Sequence, residues 1–415
     1  MDTLENHMNE DGQEYVRIGV IGLGNIGSVH AMSIYDGEIS GLKLVAVCDI
    51  NDERLSWAGD IMPDLLYYRD YKEMINSGEI QAVVIAVPHY IHSEVAICAF
   101  CEKLHVMCEK PAGVYVAQVD EMNEEAKRAG TTYSIMHNQR TSPIFRKMRD
   151  MVCEGTLGQP IRFNWLITNW YRTQSYYNSS NWRATWNGEG GGVLLNQAYH
   201  NIDLWQWIYG MPSKVTGFCG YGKYHDIEVE DEATIYAEYE NGATAVFITT
   251  TGEHPGTNRL EISGTKGKLT AENGKLTYWN NINIEGSDGE MTCVCEDITP
   301  IEVETAHRGI LQNFANAILF DEPLISPGVE GVNALNIING VYYSAWNSVS
   351  IELPVDSRMY ASELFEKKKR VTELSSIQST LKSQNNQNSS NDQDASSHPN
   401  SQSDMKYSER WKINW

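Results

Sequence analysis

YVRIGVIGLGNIGSVHAMSIYD, residues 15–36, holds three signals in register. A short β-branched run ends at Gly22, a glycine turn follows, and a helical stretch continues to about Asp36. Gly22-Leu23-Gly24-Asn25-Ile26-Gly27 fits G-x-G-x-x-G. In that motif the first glycine permits a tight turn, the second lets the backbone approach a pyrophosphate, and the third lets helix and strand pack closely. The amides at the helix start, Asn25 and Ile26 among them, are a ready anion site. A second strand, KLVAVCD (43–49), closes on Asp49, whose carboxylate can accept both hydroxyls of an adenosine ribose and repel a 2′-phosphate. Ile50, Asn51 and Asp52 follow it, and Arg54 is the nearest positive charge. NAD is therefore expected over NADP.

Outward from this unit the rhythm persists. IQAVVIAVP (80–88) reads as a strand buried on both faces, YIHSEVAICAFCEK as a helix, and HVMCEKP (105–111) as a strand with its exit loop. VYVAQVDEMNEEAKRAG is a helix with a glycine stop, and TTYSIM (131–136) a further strand. Strands alternating with helices predict a parallel, Rossmann-type α/β domain over 15–137. After about residue 150 come longer strands, PIRFNWLITNWY, KVTGFCGYG, EATIYAEYE, ATAVFITTTG, NRLEISG and GKLTAEN, with turns at Asn241-Gly242 and Gly264–Gly267. Helices are expected at about 197–209, 305–320 and 329–348. This predicts an α+β domain over 138–356 with a large open, mostly antiparallel sheet. Residues 357–415 read as a polar tail, largely disordered, rich in Ser, Asn and Gln, with aromatics returning only in YSERWKINW.

The 415 residues carry 32 Lys plus Arg against 55 Asp plus Glu, a formal charge of -23. That field opposes nucleic acid and anionic membranes as partners. The acidic, polar start MDTLENHMNEDGQE lacks the basic and apolar regions of a secretory signal, and no apolar run is long enough to span a bilayer. The expectation is a cytoplasmic protein with reduced cysteines buried in its core. Cys98 and Cys101 form a C-x-x-C within an apolar helical pattern and read as packing, so no metal site is expected.

Two segments carry chemistry. Lys110, in Glu109-Lys110-Pro111, lies beyond the carboxyl end of a parallel strand, where doubly wound sheets bind ligands. In GEGGGVLLNQAYHNIDLWQWIYG (188–210), Asn196, His200 and Asp203 have helical spacing, so they can share one face. NWYRTQSYYNSSNWRATWNGEGGG (169–192) sets Trp170, Tyr171, Tyr176, Tyr177, Trp182 and Trp186 beside Arg172 and Arg183. This mixture suits the apolar face and polar rim of a pyranose or cyclitol, and equally a loop packed on the domain surface or at a subunit contact. His254 and His307 are further pocket candidates.

With GLGNIG, AVPHYIHSE, EKP, HNQR and GGGVLLNQAYHNIDL, residues 15–356 resemble the Gfo/Idh/MocA family of glucose–fructose oxidoreductases, inositol dehydrogenases and rhizopine-catabolism proteins. The resemblance implies an NAD-dependent oxidoreductase interconverting a secondary hydroxyl and a ketone on a sugar, glycoside or inositol. Lys110 would be the active-site lysine and His200 the acid–base. Glu109 would lie beside the cofactor, Pro88, His89 and His92 would line its nicotinamide side, and Asn138 and Arg140 would form another loop near it. Asn196, Asp203, Tyr171, Arg172, Trp182, Arg183 and Trp186 would meet the substrate. A homodimer or homotetramer through the C-terminal sheet is implied. Asn196 departs from the family's common aspartate, and an amide cannot take a proton as a carboxylate does. The alternatives are a sugar–sugar oxidoreductase that recycles a held cofactor, a keto-sugar reductase, and an inactive sugar- or NAD-responsive regulatory binder.

Overall fold

The structure is a computed structural model, described at residues 7–8, 14–180, 182–285 and 288–388. The first sheet comprises β1 (His7–Met8), β2 (Glu14–Ile21), β3 (Leu42–Cys48), β4 (Leu66–Tyr68), β5 (Ala82–Ile85), β6 (His105–Cys108) and β7 (Tyr133–Ile135). Its order is β4-β3-β2-β5-β6-β7, all parallel, with β1 antiparallel against β2. The crossovers carry α1 (Asn25–Tyr35), α2 (Asp52–Ile61), α3 (Tyr71–Ile75), α4 (His92–Cys101) and α5 (Val116–Ala129). β5 reads AVVI and is wholly buried, as the apolar run predicts for a central parallel strand. α5 stops at Gly130, whose φ of 69° a side chain rarely adopts. The order changes direction between β2 and β5, so the carboxyl ends of these strands open a crevice beside the glycine turn.

α6 (Pro143–Cys153) leads into the second sheet: β8 (Pro160–Ile167), β9 (Lys214–Tyr221), β10 (Glu230–Glu238), β11 (Thr244–Thr250), β12 (Asn258–Gly264), β13 (Gly267–Glu272), β14 (Lys275–Asn283), β15 (Met291–Asp297) and β16 (Ile351–Glu352). They run β15-β14-β13-β12-β8-β11-β10-β9-β16, antiparallel except for β8 beside β11. α7 (Gln174–Tyr177) and α8 (Tyr199–Tyr209) fall between β8 and β9; α9 (Ala306–Phe320) and α10 (Gly331–Asn347) follow β15. One sheet face is covered: Trp205 of α8 stacks against Phe163 and Phe247 at 5.5 and 5.9 Å between ring centroids.

Three features go beyond the sequence expectations. First, the expected division at 137/138 is bridged in the core: α9 buries Ile310, Leu311, Phe314 and Ala315 together with Val16, Ile18, Leu44 and Val84 of the first sheet. The parallel sheet needs an apolar cover on that side, and a helix from far along the chain supplies it. Second, the tail expected from residue 357 begins as a helix over 357–388. α11 (Ser357–Asn388) anchors its start with Tyr360, fully buried and stacked on Trp346 at 5.4 Å, and with buried Leu364. Described residues to Phe365 form one compact unit and those from Glu366 a second. The terminal aromatics lie outside the described residues. Third, all eight cysteines are free, but Cys101, Cys153, Cys293 and Cys295 are exposed. No described helix is long and apolar enough to cross a membrane.

Candidate active site

The glycine turn is built for close approach. Gly22 has φ 92°, and a Cβ there would strike the Ala86 carbonyl oxygen. A Cβ on Gly24 would meet nothing within 4 Å. Gly24 is also the N-cap of α1 and brings no side chain to its first-turn amides. An open, uncapped helix start of this kind fits a pyrophosphate. Asp49 is held beside it, accepting from Leu23 N–H at 2.6 Å and Asn51 N–H at 2.8 Å. Arg54 is committed elsewhere, donating to the Leu23 carbonyl at 2.7 Å and the Ser28 hydroxyl at 2.6 Å. Ile50 is 83% exposed at the rim and leaves an apolar surface free. These residues suit a dinucleotide whose ribose meets a carboxylate.

At the carboxyl end of β6, Glu109 is buried and pairs with His30 of α1 at 2.7 Å. Burial works to raise the Glu109 carboxyl, but His30, His307 and Lys110 pull it down to about 2. The next residue, Lys110, crosses to the second domain and donates from Nζ to the Asn196 main-chain carbonyl at 3.1 Å. Burial lowers its pKa, opposed by Glu109 and Glu189 and assisted by Arg172 and Arg183.

The segment 190–198 is a series of turns, and α8 starts only at Tyr199. Asn196 therefore precedes the helix expected to carry it. The turn is pinned by Glu230 at the start of β10. That fully buried carboxylate accepts from Gly192 N–H, from Leu194 N–H at 3.0 Å and from the Tyr342 hydroxyl at 2.7 Å. Burial raises it to about 7 in spite of these donors. Glu189 is 1% exposed and accepts from Ala184 N–H at 2.5 Å and from Asn196 Nδ2 at 2.6 Å; Arg183 lies 3.6 Å away. His200, one turn beyond Asn196, has a buried Nδ1 with no partner among the described residues. Burial, then the Lys110 charge, His307 and His137 push its pKa well below 6.5. The imidazole is thus neutral near pH 7, rather than poised there.

Other expected site residues divide. His89 stays near the turn, its Nδ1 3.1 Å from the Glu189 carbonyl oxygen and its ring 6.4 Å from Trp182. Pro88, just before it, is exposed. Trp182 and Tyr171 are 40% and 44% exposed, and Tyr171 lies edge-on to His254. Arg183 and Arg172 both lie over the Tyr176 ring, at 4.4 and 5.1 Å. Five others are buried. Asp203, 1% exposed, is gripped by Arg140 at 2.7 and 2.8 Å, and Arg140, 0% exposed, also pairs with Glu330. These charges face each other inside the protein, so the expected substrate contact of Asp203 and cofactor contact of Arg140 involve side chains already paired. Trp186 is 4% exposed and donates its indole N–H to the Glu228 carbonyl, so it belongs to the core. His92 is 1% exposed, with its ring nitrogens 2.7 Å from the Val87 and Pro111 carbonyl oxygens, so it ties two loops together from beneath. Asn138 is also buried, its Oδ1 unpartnered among the described residues.

Sequence reading missed His30, Glu189 and Glu230. Glu189 carried a visible signal, a lone acid inside GEGGG. Glu230 had none, being one acid in the run EVEDE far from its partners.

Residues 16–137 match the oxidoreductase family with the NAD-binding Rossmann fold, and residues 145–270 match the GFO/IDH/MocA C-terminal domain. Myo-inositol 2-dehydrogenase of Thermotoga maritima is 30% identical over 270 residues, 63% of this chain and 77% of that protein. The scyllo-inositol 2-dehydrogenase (NAD(+)) of Bacillus subtilis is 23% identical over 353 residues, covering 83% and 98%. Among solved structures, the WlbA dehydrogenase of Bordetella pertussis in complex with NADH and UDP-GlcNAcA shares the fold with a TM-score of 0.71, at 24% identity, over 83% of this chain and all of that one.

Proposed function

Because the chain belongs to the GFO/IDH/MocA oxidoreductases and carries their NAD-binding Rossmann domain, we propose that it interconverts a secondary hydroxyl and a ketone on a sugar, glycoside or inositol. The observation that carries this reading is the bridge from Lys110 Nζ to the Asn196 carbonyl. It brings a lysine from the dinucleotide domain beside the second domain's amide and imidazole. The inositol dehydrogenases among the relatives support the polyol class.

When bound, NAD supplies the hydride acceptor and nothing else is asked of it. The chain's own residues manage the proton and the charge. Neutral His200 is in the state that accepts the hydroxyl proton. Lys110 donates to the oxygen as it becomes negative, an interaction worth most in a water-poor site. Asn196 orients a hydroxyl. The reverse reaction uses the same groups in opposite protonation states. Asp49 and the engaged Arg54 favour NAD over NADP.

The second sheet's outer face supports a homodimer or homotetramer. Leu166, Ile248, Thr234 and Phe218 form one cross-strand row over β8, β11, β10 and β9, and Phe218 is 64% exposed. Light scattering of the purified protein checks this; a monomer refutes it. The function is tested by screening sugars, glycosides and inositols with NAD and NADP, following the absorbance of reduced nicotinamide. Turnover of a polyol with NAD is expected. Tight NAD binding without turnover of any of them in either direction would favour the regulatory binder.

A further inference from the structure

We propose that Glu189 is a positioning residue that fixes Asn196 as a hydrogen-bond acceptor for a substrate hydroxyl, so that the pair together presents what a single carboxylate would. A carboxylate has no hydrogen to give, so only the amide nitrogen of Asn196 can face Glu189, and it does so at 2.6 Å. The amide oxygen must then point away from Glu189. That oxygen has no hydrogen-bond partner among the described residues, and Asn196 is half-buried one turn before His200.

Glu189 is itself held in one orientation. Its second oxygen accepts from Ala184 N–H at 2.5 Å, and Arg183 lies 3.6 Å from the oxygen that holds Asn196. A donor on each oxygen suits the carboxylate form, which accepts at both. Burial raises the Glu189 carboxyl, and the Ala184 N–H, Arg183, Lys110 from the exit of β6 and the Asn196 amide all act in favour of its charged form, while uncharged His89 meets the Glu189 carbonyl oxygen. Burying a carboxylate at 1% exposure is costly unless paired, and a serine or glycine would fill this turn without that cost. What the charge supplies is direction. An unsupported asparagine presents its N–H and C=O ends almost equally well, whereas this one offers the substrate an acceptor only. The ligand it selects is a hydroxyl donor next to the reacting carbon, as in a vicinal diol.

The catalytic half of this inference rests on the NAD-dependent polyol reading above. The test is a swap cycle of Glu189→Gln, Asn196→Asp and the double variant. Glu189→Gln frees the amide to turn. Asn196→Asp sets two carboxylates against each other at hydrogen-bond distance. In the double variant the amide now at position 189 donates to the carboxylate now at position 196, whose other oxygen again faces the substrate. Each single change should lower kcat/KM about tenfold or more, the cost of a hydrogen bond to a charged group, largely through KM. The double variant should recover to within about threefold of the parent, a coupling of the size close polar pairs show. Reduced-nicotinamide fluorescence should report unchanged cofactor affinity in all four proteins, and melting temperature should follow the same cycle. If melting temperature recovers in the double variant but kcat/KM shows the product of the two single losses, the pair is only a structural brace and the inference is overturned. If neither recovers, it is overturned as well. A parent protein that turns over no polyol overturns the functional reading instead, and the substrate half of this inference with it.

Discussion

Lys110 and His200 constrain each other. The Lys110 charge is the second-largest cause, after burial, of the low pKa of His200. Proton acceptance needs neutral imidazole, so the acid limb of kcat/KM should lie below pH 6.5, the ordinary histidine value. Lys110→Ala removes a charge that disfavours imidazolium, so it should move that limb upward. It should also cost about 100- to 1000-fold in turnover, the loss of one donor to a developing oxyanion. His200→Ala should cost roughly 100- to 10,000-fold and abolish the limb. Steady-state rates against pH for both variants, with NAD affinity measured alongside, check this. Near-normal turnover in the folded proteins, or a limb that moves down in Lys110→Ala, would defeat the assignment.

The turn 190–198 and helix α9 are the elements on which the site depends, and each hangs on one distant residue. Glu230 satisfies two amides of the turn and the Tyr342 hydroxyl. Glu230→Ala strands three buried donors at about 1–3 kcal/mol each, so the melting temperature and turnover should fall together. Glu230→Gln keeps the acceptor oxygen and should be far milder, because a carboxyl with a pKa of about 7 already spends much of its time uncharged. Equal losses in the two variants would contradict this account. Phe314→Ala in α9 should destabilise by about 3–5 kcal/mol and weaken NAD binding, because its ring is fully buried against the first sheet; a loss confined to the second domain in hydrogen exchange would contradict it. These dependencies mark the limit of what sequence shows. Gly22 to Gly27, Asp49 and Lys110 were legible because their meaning is local: a turn, a strand end, a fixed spacing. Arg140 and Asp203 are 63 positions apart and find each other only in three dimensions, so a spacing of three from His200 gives no sign of that pair. Trp186 reads like its neighbour Trp182 until packing puts one inside and leaves the other 40% exposed. The strand Leu66–Tyr68 and the short helix Tyr71–Ile75 are too brief to show a period.

Across the whole molecule, histidines set the acid limit. His89, His92, His105, His137, His200 and His307 are all held below 6.5, chiefly by burial. The unfolded chain binds protons at these positions more readily than the folded one, so stability falls as pH drops through 6.5 towards about 4. Glu230 acts with the opposite sign: its raised pKa contributes stability at low pH that is lost as pH rises through about 7. Glu189, Glu304 and Asp120, also raised by burial, act with Glu230, but six histidines outnumber these four carboxyls, so melting temperature should decline between about pH 7 and about pH 5, before most carboxylates titrate. Differential scanning calorimetry across that range reads it, and a flat or rising profile would refute it.

Synthesis gives α9 a second importance. Residue 137 ends the last segment of the dinucleotide domain to leave the ribosome as a continuous piece, yet the helix that covers its sheet ends at Phe320. At about 5–20 residues per second, the intervening chain takes roughly 10–40 s to emerge. During that interval Val16, Ile18 and Leu44 lack their cover. The nascent first domain therefore waits as an unfinished apolar surface, a period in which a chaperone has something to hold and a neighbouring nascent chain something to stick to.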